Sequence, residues 1–298
     1  MKIRFAVTPP ASALAEDEFP AYLAECEKLG FDTVWLSDIP LGALGDPLIS
    51  LTYAAGVTTR LKLGANLVPL GRHPMWLAKQ LAQLDRLCDG RLLLSFVPGL
   101  GQPAERAALG YSDVDRGHAV DQMMILMRRW WDGETISGDW EGLVFDEVKL
   151  EPLPKQRPLE IWLGGIRPSA LERVAQIADG WLTSAATPQE AGAGRATILA
   201  RAAELGRVVD EEHFGISVPF SVEPPPDSAL ELLRKRRKDR DLSEIVPVGS
   251  KPLRTLLNAH IDQGLSKFVV RPVTSLSLGP GWRDDLNWVA DAVLPLQT

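Results

Sequence analysis

Cysteine is scarce in this chain: Cys26 and Cys88 are the only two in 298 residues. So few thiols exclude a disulfide framework and fit a reducing compartment. Long apolar runs are missing as well. No segment reaches the ~20 apolar residues of a membrane span. The stretch Met1–Thr8 alternates like a strand and lacks the apolar run of a secretion signal. We therefore expect a cytoplasmic protein with no membrane partner. Basic charge is in deficit, with 32 Lys and Arg against 39 Asp and Glu, a net charge of −7. Such a surface repels nucleic acid at long range, so no nucleic-acid partner is expected. Histidine is sparse too. His73, His118, His213 and His260 are scattered, and none pairs with Cys or a carboxylate at ligand spacing, so no metal site is predicted. There is no Walker or nucleophile-elbow pattern, and Gly99-Leu100-Gly101 lacks the third glycine of a dinucleotide fingerprint.

What remains is a regular alternation of short apolar runs and helical patterns. The strand candidates are 3–8, 33–37, 61–68, 91–97, 159–163, 181–183, 214–220 and 267–271. Most are near-continuously apolar, as parallel strands covered on both faces are. Helical patterns fall between them at 19–29, 47–58, 74–87, 114–131, 168–178, 188–205, 251–263 and 284–294. Proline opens four of these helices (Pro47, Pro74, Pro168, Pro188), where its missing N–H costs nothing. Glycine closes others at Gly30, Gly90, Gly180, Gly206 and Gly264, where a left-handed residue reverses the chain. Eight strands and eight helices in strict alternation predict an α/β fold, a (β/α)8 TIM barrel in a single domain over 1–298. Residues 132–158 read as a hairpin excursion before the fifth strand. Residues 222–248 read as a helical insertion or lid before the seventh helix. The latter carries the run Arg234–Arg240, in which only Asp239 is not basic. A solvated helix face and a greeting site for an anionic cofactor tail are both open readings of that run.

Chemistry in such barrels sits at the C-terminal ends of the strands. Here those ends are small, polar and glycine-rich, with few strong acids or bases. The sharpest feature is Ile161-Trp162-Leu163-Gly164-Gly165-Ile166-Arg167-Pro168-Ser169. A buried strand runs through two glycines into a helix opened by proline. Bare backbone N–H groups, the positive helix end and Arg167 converge there, which suits a phosphate. A tight turn that only needs flexibility is the alternative.

Several segments resemble the bacterial luciferase-like family of flavin and deazaflavin oxidoreductases. They are Gly30–Asp38, Asp46-Pro47-Leu48 with Thr58–Gly64, Arg72-His73-Pro74 with Leu77–Leu81 and Leu84–Leu92, Trp162–Gly165, and Ala178–Leu182. The ending Asp291–Thr298 is similar to a deazaflavin branch of that family. The resemblance implies that the cofactor ring lies near the third strand, with a bulge and a non-prolyl cis peptide at Asn66-Leu67. It also implies a cofactor-phosphate site at Gly164 and Gly165, joined by Arg167 and by Ser169 or Thr183; Thr8 and Gly99 stand at other strand ends as further cofactor-binding candidates. A homodimer is a further implication.

Two departures stand out. Ile39 occupies the position after the strand-two aspartate where many deazaflavin-dependent members place a histidine. Leu100 follows the strand-four glycine where some place a glutamate. Since a general acid or base contributes roughly 10²–10⁴ in rate, either another residue serves or the reaction needs less proton help. Asp38 is the substitute by position, with Tyr111 and His118 as further candidates; a capping or ion-pair role for Asp38 is equally open. His73 reads as a helix-start residue. The expected activity is coenzyme F420-dependent hydride transfer to a small organic substrate. An FMN-dependent monooxygenase and a non-catalytic cofactor binder are the alternatives.

Overall fold

The structure, a computed structural model, describes residues 1–15, 17–112, 114–273 and 281–298. Its strands are β1 (Arg4–Val7), β2 (Thr33–Ser37), β3 (Lys62–Leu67), β4 (Leu92–Phe96), β5 (Thr135–Trp140), β6 (Leu143–Lys149), β7 (Ile161–Leu163), β8 (Gly180–Ser184), β9 (Phe214–Phe220) and β10 (Lys267–Pro272). The helices are α1 (Phe19–Leu29), α2 (Pro47–Val57), α3 (Pro74–Leu87), α4 (Pro103–Ala108), α5 (Arg116–Trp131), α6 (Pro168–Ile177), α7 (Pro188–Glu204), α8 (Asp227–Arg236), α9 (Ser250–Asp262) and α10 (Trp282–Val293). Eight parallel strands close into a barrel in the order β1-β2-β3-β4-β7-β8-β9-β10, and β5 and β6 form a separate antiparallel hairpin. The (β/α)8 barrel expected from the alternation is the architecture observed. The six-residue α4 has no counterpart in the sequence reading, because one and a half turns leave no periodic signal.

The chain divides into two compact units, one of residues 1–36, 60–62 and 162–298, the other of 37–59 and 63–161. The first has an aromatic core. Phe5 stacks on Phe268 at 5.3 Å, and Tyr22 meets Trp282 edge-on at 5.1 Å. Trp181 and Phe214 pack together nearby, and all six rings are buried. Each such ring stabilises the fold by roughly 1.5–3 kcal/mol relative to exposure. Thr187 caps α7 with a reciprocal capping box, its Oγ1 accepting from Glu190 N while Glu190 accepts from Thr187 N.

In the second unit, the hairpin packs through Phe145, whose ring meets Trp130 of α5 edge-on at 5.1 Å. Asp85, fully buried on α3, accepts from Lys155 N, Gln156 N and Gln156 Nε2 at 2.7, 2.8 and 2.6 Å. One carboxylate thus satisfies the backbone of the segment that leads from the hairpin back towards the barrel.

Two expectations are corrected. Gly180 does not end a helix in the left-handed region; it is the first residue of β8, and a Cβ there would collide with the Trp162 indole. Close packing, not chain reversal, calls for glycine. The cis peptides among the described residues precede Pro152 and Pro158, so Asn66–Leu67 is trans. Asn66 and Leu67 pair in unbroken register with Ser95 and Phe96, which leaves no bulge at that point.

Candidate active site

The Gly164–Gly165 turn lies where β7 passes into α6. Pairing of Leu163 with Trp181 sets Gly164 against β8 so closely that a Cβ would lie 2.6 Å from Leu182 O. Gly165 is exposed at φ +99°, and a Cβ there would meet Ala170 at 2.8 Å. Its carbonyl accepts from Trp181 Nε1 at 2.9 Å, which pins the turn to the core. Arg167 N-caps α6 without a side-chain cap, so the positive end of that helix is left to whatever lies in front of it. Next door on β8, Thr183 is 1% exposed, and its Oγ1 has no hydrogen-bond partner among the described residues. A buried, unsatisfied hydroxyl is costly. It stands beside a turn whose bare glycines form a cradle that a side chain would fill. Those features fit the phosphate-bearing arm of a flavin or deazaflavin. The register therefore unites Gly164, Gly165 and Thr183, three residues predicted from sequence. Arg167 and Ser169 flank them with exposed side chains. Thr8, at the end of β1, donates its N–H to Val270 O at 3.2 Å.

The second cluster is built around Asp38. Its N–H reaches Asn66 O at 2.8 Å, and its Oδ2 accepts from Val68 N at 3.1 Å and from Arg72 Nη2 at 3.0 Å. Arg72 Nη2 also reaches Asp46 Oδ2 at 2.9 Å, while Asp46 Oδ1 caps α2 through Leu48 N. Burial pushes the Asp38 carboxyl above its usual range, and the Arg72 charge and the Val68 N–H pull it only part of the way back. Burial would also lower Arg72, but hydrogen bonds and charges from Asp46 and Asp38 outweigh it and raise its pKa. A cavity of about 270 Å³ opens here, lined by Ile39, Leu44, Val68, Leu70 and Leu109 beside Asp38, Asp46 and Arg72. Asp38 is thus an ion-pair partner that ties the ends of β2 and β3 together. Leu67 is fully buried beside it.

Tyr111 and His118 do not line this cavity. Tyr111 is held by its backbone, through its N–H to Arg106 O at 2.9 Å, and His118 stands exposed on the first turn of α5, where Asp115 accepts its N–H. His73 N-caps α3, as its position implied.

Sequence reasoning missed Glu105. It is 3% exposed on α4, accepts from Gly101 N at 3.0 Å, and occupies the space that a Cβ on Gly99 would need. A carboxylate therefore stands beside Gly99 although Leu100 follows it in sequence. Arg116 closes the same loop by donating to Pro98 O at 2.8 Å and Gly99 O at 3.3 Å. Arg72 and Asp46 were quoted in sequence motifs, but the bonds of Arg72 to Asp38 and to Asp46 span 34 and 26 residues and have no local signature.

The basic run of the insertion is not simply a solvated face. Arg237 is 6% exposed; it donates to Ala185 O and to Glu190 Oε1, the latter at 2.8 Å, and so anchors the insertion to the start of α7. Among the described residues no helix is long and apolar enough to cross a membrane.

A closed parallel barrel with polar, glycine-rich strand ends defines a TIM-barrel protein with an open glycine turn late in the sheet. Residues 2–264 match the family described as luciferase-like monooxygenase, and the chain belongs to that family of oxidoreductases. The chain is 24% identical over 238 residues to 5,10-methylenetetrahydromethanopterin reductase of Methanopyrus kandleri, covering 73% of this chain and 67% of that protein. Its fold is similar to an F420-dependent secondary alcohol dehydrogenase in complex with an F420-acetone adduct, with TM-score 0.81, 14% identity and full coverage of both chains. It is also similar to the oxygenating constituent of 3,6-diketocamphane monooxygenase of Pseudomonas putida in complex with FMN, with TM-score 0.76, 15% identity and coverage of 100% of this chain and 98% of that one.

Proposed function

We propose that this chain is a coenzyme F420-dependent oxidoreductase acting on a small organic substrate. The observation that carries the cofactor reading is the unsatisfied Thr183 Oγ1 beside the Gly164–Gly165 cradle. The Gly164–Gly165 amides, the open end of α6 and the Thr183 hydroxyl hold the anionic arm, with Arg167 as an added cation. When bound, a deazaflavin supplies a hydride-carrying carbon. The chain's own contribution is to bind, orient and keep water away. Asp38 and Arg72 fix the end of β3 through Val68 N–H, and Glu105 and Arg116 fix the loop after β4. The apolar Ile39 and Leu100 supply no proton, while Glu105 offers a carboxylate beside Gly99.

The preference for a deazaflavin follows the reductase relative and the F420-bound fold neighbour. The FMN-bound fold neighbour favours a second reading, in which reduced FMN and oxygen make the protein a monooxygenase. Fluorescence titration of apo-protein with F420 and with FMN separates the two. Tight F420 binding with hydride transfer is expected; tight FMN binding with none for F420 overturns the deazaflavin assignment.

A further inference from the structure

The cavity beside Asp38 is walled by two loops and the end of a short helix, all within the unit of residues 37–59 and 63–161. Ile39 opens a turn in which Gly42 donates its N–H to Ile39 O at 2.8 Å. Pro40 suits the second position of such a turn. Glycine is needed at its end, since a Cβ on Gly42 would lie 2.7 Å from Ile39 Cγ2. Opposite, Leu109 caps α4 and lies over Gly71. There φ is +81° and a Cβ would come within 2.7 Å of Leu109 Cδ2, so both backbone and contact call for glycine. Leu44, Val68 and Leu70 complete an apolar wall around about 270 Å³. This is the C-terminal end of β2 and β3, where a parallel barrel carries its chemistry.

The polar end of the cavity is only half used. Asp38 Oδ2 is bonded to Val68 N and Arg72 Nη2, and Arg72 Nε reaches Val68 O at 3.3 Å. Asp38 Oδ1 and Arg72 Nη1 form no hydrogen bond with any described residue, although the Asp38 side chain is only 6% exposed. The 3.0 Å bond between Oδ2 and Nη2 holds this free acceptor and this free donor close together. A buried polar group without a partner is costly. A hydroxyl donates and accepts at a single atom, whereas a ketone or an ether only accepts. Charged ligands are opposed. Asp38 and Asp46 repel an anion, Arg72 repels a second cation, and the apolar wall disfavours both.

We infer that this cavity is a substrate pocket for a compact, uncharged alcohol. Its hydroxyl lies between Asp38 Oδ1 and Arg72 Nη1, and its hydrocarbon part packs against Ile39, Leu44 and Leu109. That the alcohol is the reaction's substrate rests on the oxidoreductase reading above; that it binds here does not. A cavity of about 150 Å³ takes benzene, so by proportion this one takes roughly ten non-hydrogen atoms. Ile39 and Leu109 therefore set the size limit, one from the loop after β2 and the other from α4.

The test uses the full chain without cofactor and cyclohexanol as probe, with affinity read by calorimetry. Wild type should bind it at one saturable site. Cyclohexanone, cyclohexylamine and cyclohexanecarboxylate have the same ring but the wrong polar group. Each should bind at least about tenfold more weakly, the effect of one lost hydrogen bond. Leu109→Trp fills the cavity and should abolish binding. Leu41→Trp, exposed on the same loop as Ile39 and outside the cavity, should not change it. Leu109→Ala should bind 4-tert-butylcyclohexanol about tenfold more tightly than wild type does, a gain that a misfolded protein cannot show. The inference falls if wild type gives no saturable binding, or if any comparison compound matches cyclohexanol. It falls equally if Leu109→Ala discriminates between the two alcohols as wild type does. Titration with F420 separates this result from the cofactor reading. Alcohol binding without F420 binding overturns the deazaflavin assignment and leaves the pocket standing; F420 binding without alcohol binding overturns the pocket alone.

Discussion

Asp38 Oδ2 accepts from Val68 N and from Arg72 Nη2 at once, at 3.1 and 3.0 Å. The two bonds join the end of β2 to the end of β3 and commit that oxygen to structure. Asp38→Asn, which keeps an oxygen acceptor, is expected to hold turnover within a few-fold. A loss of ~10²–10⁴ would instead mark Asp38 as a proton-transfer group. Arg72→Met leaves a largely buried carboxylate with one N–H donor and should cost about 2 kcal/mol in urea unfolding at neutral pH. With Asp38 already raised by burial, removing the cation raises it further. Its ionisation then opposes folding, so the stability of Arg72→Met should fall as pH rises through the carboxyl's folded pKa.

His260 on α9 is fully buried, and neither ring nitrogen has a partner among the described residues. Burial lowers its pKa to about 4. The unfolded chain, with an ordinary imidazole near 6.5, binds the proton more readily. Stability from this group is complete above that value and is lost as pH falls towards 4, by about 3 kcal/mol in all. Denaturation of wild type and His260→Leu at pH 7 and pH 4.5 checks it. The variant should lose less stability on acidification.

Arg237 anchors the 222–248 insertion to Ala185 and Glu190. Arg237→Ala leaves Glu190 with its capping role but removes that tie. The expected result is faster proteolytic cleavage within 222–248, with little change in the global melting temperature. Cleavage at the wild-type rate would show that the apolar cluster around Leu230 suffices.

The barrel was legible because β1 to β4 and β7 to β10 are apolar runs separated by helices with proline starts and glycine ends. The glycine cradle was legible because Gly164-Gly165 and Pro168 are contiguous in sequence. The Asp38–Arg72–Asp46 cluster was not, since Arg72 arrives from the loop after β3 while both carboxylates lie in the loop after β2. Glu105 escaped notice for a related reason: its partner Gly101 is only four residues away, but α4 is too short to show a period. At Asn66-Leu67 the resemblance misled, because β3 continues in register past the expected bulge.

Ile49, Val57 and Trp76 are exposed on α2 and α3 at 74, 46 and 57%. Ile49 and Val57, two turns apart, share one face of α2. We propose that these exposed apolar side chains form an association face; a self-complementary one gives a twofold dimer. Sedimentation should find a dimer for wild type and a monomer for the double variant Ile49→Glu, Val57→Glu. A monomeric wild type contradicts this assignment.

The most direct measurement is the affinity of purified Gly165→Asp and Thr183→Val for F420, set against wild type by cofactor fluorescence. A carboxylate in the cradle should weaken binding by at least about a hundredfold, and loss of the hydroxyl by about tenfold. Thr183→Val should keep a melting temperature close to wild type. Gly165→Asp, strained at φ +99°, should melt lower and is compared with Gly165→Ala, which carries the same strain without the charge. Wild-type affinity in both variants would mean that the anionic arm is held elsewhere, and the account of this site would be wrong.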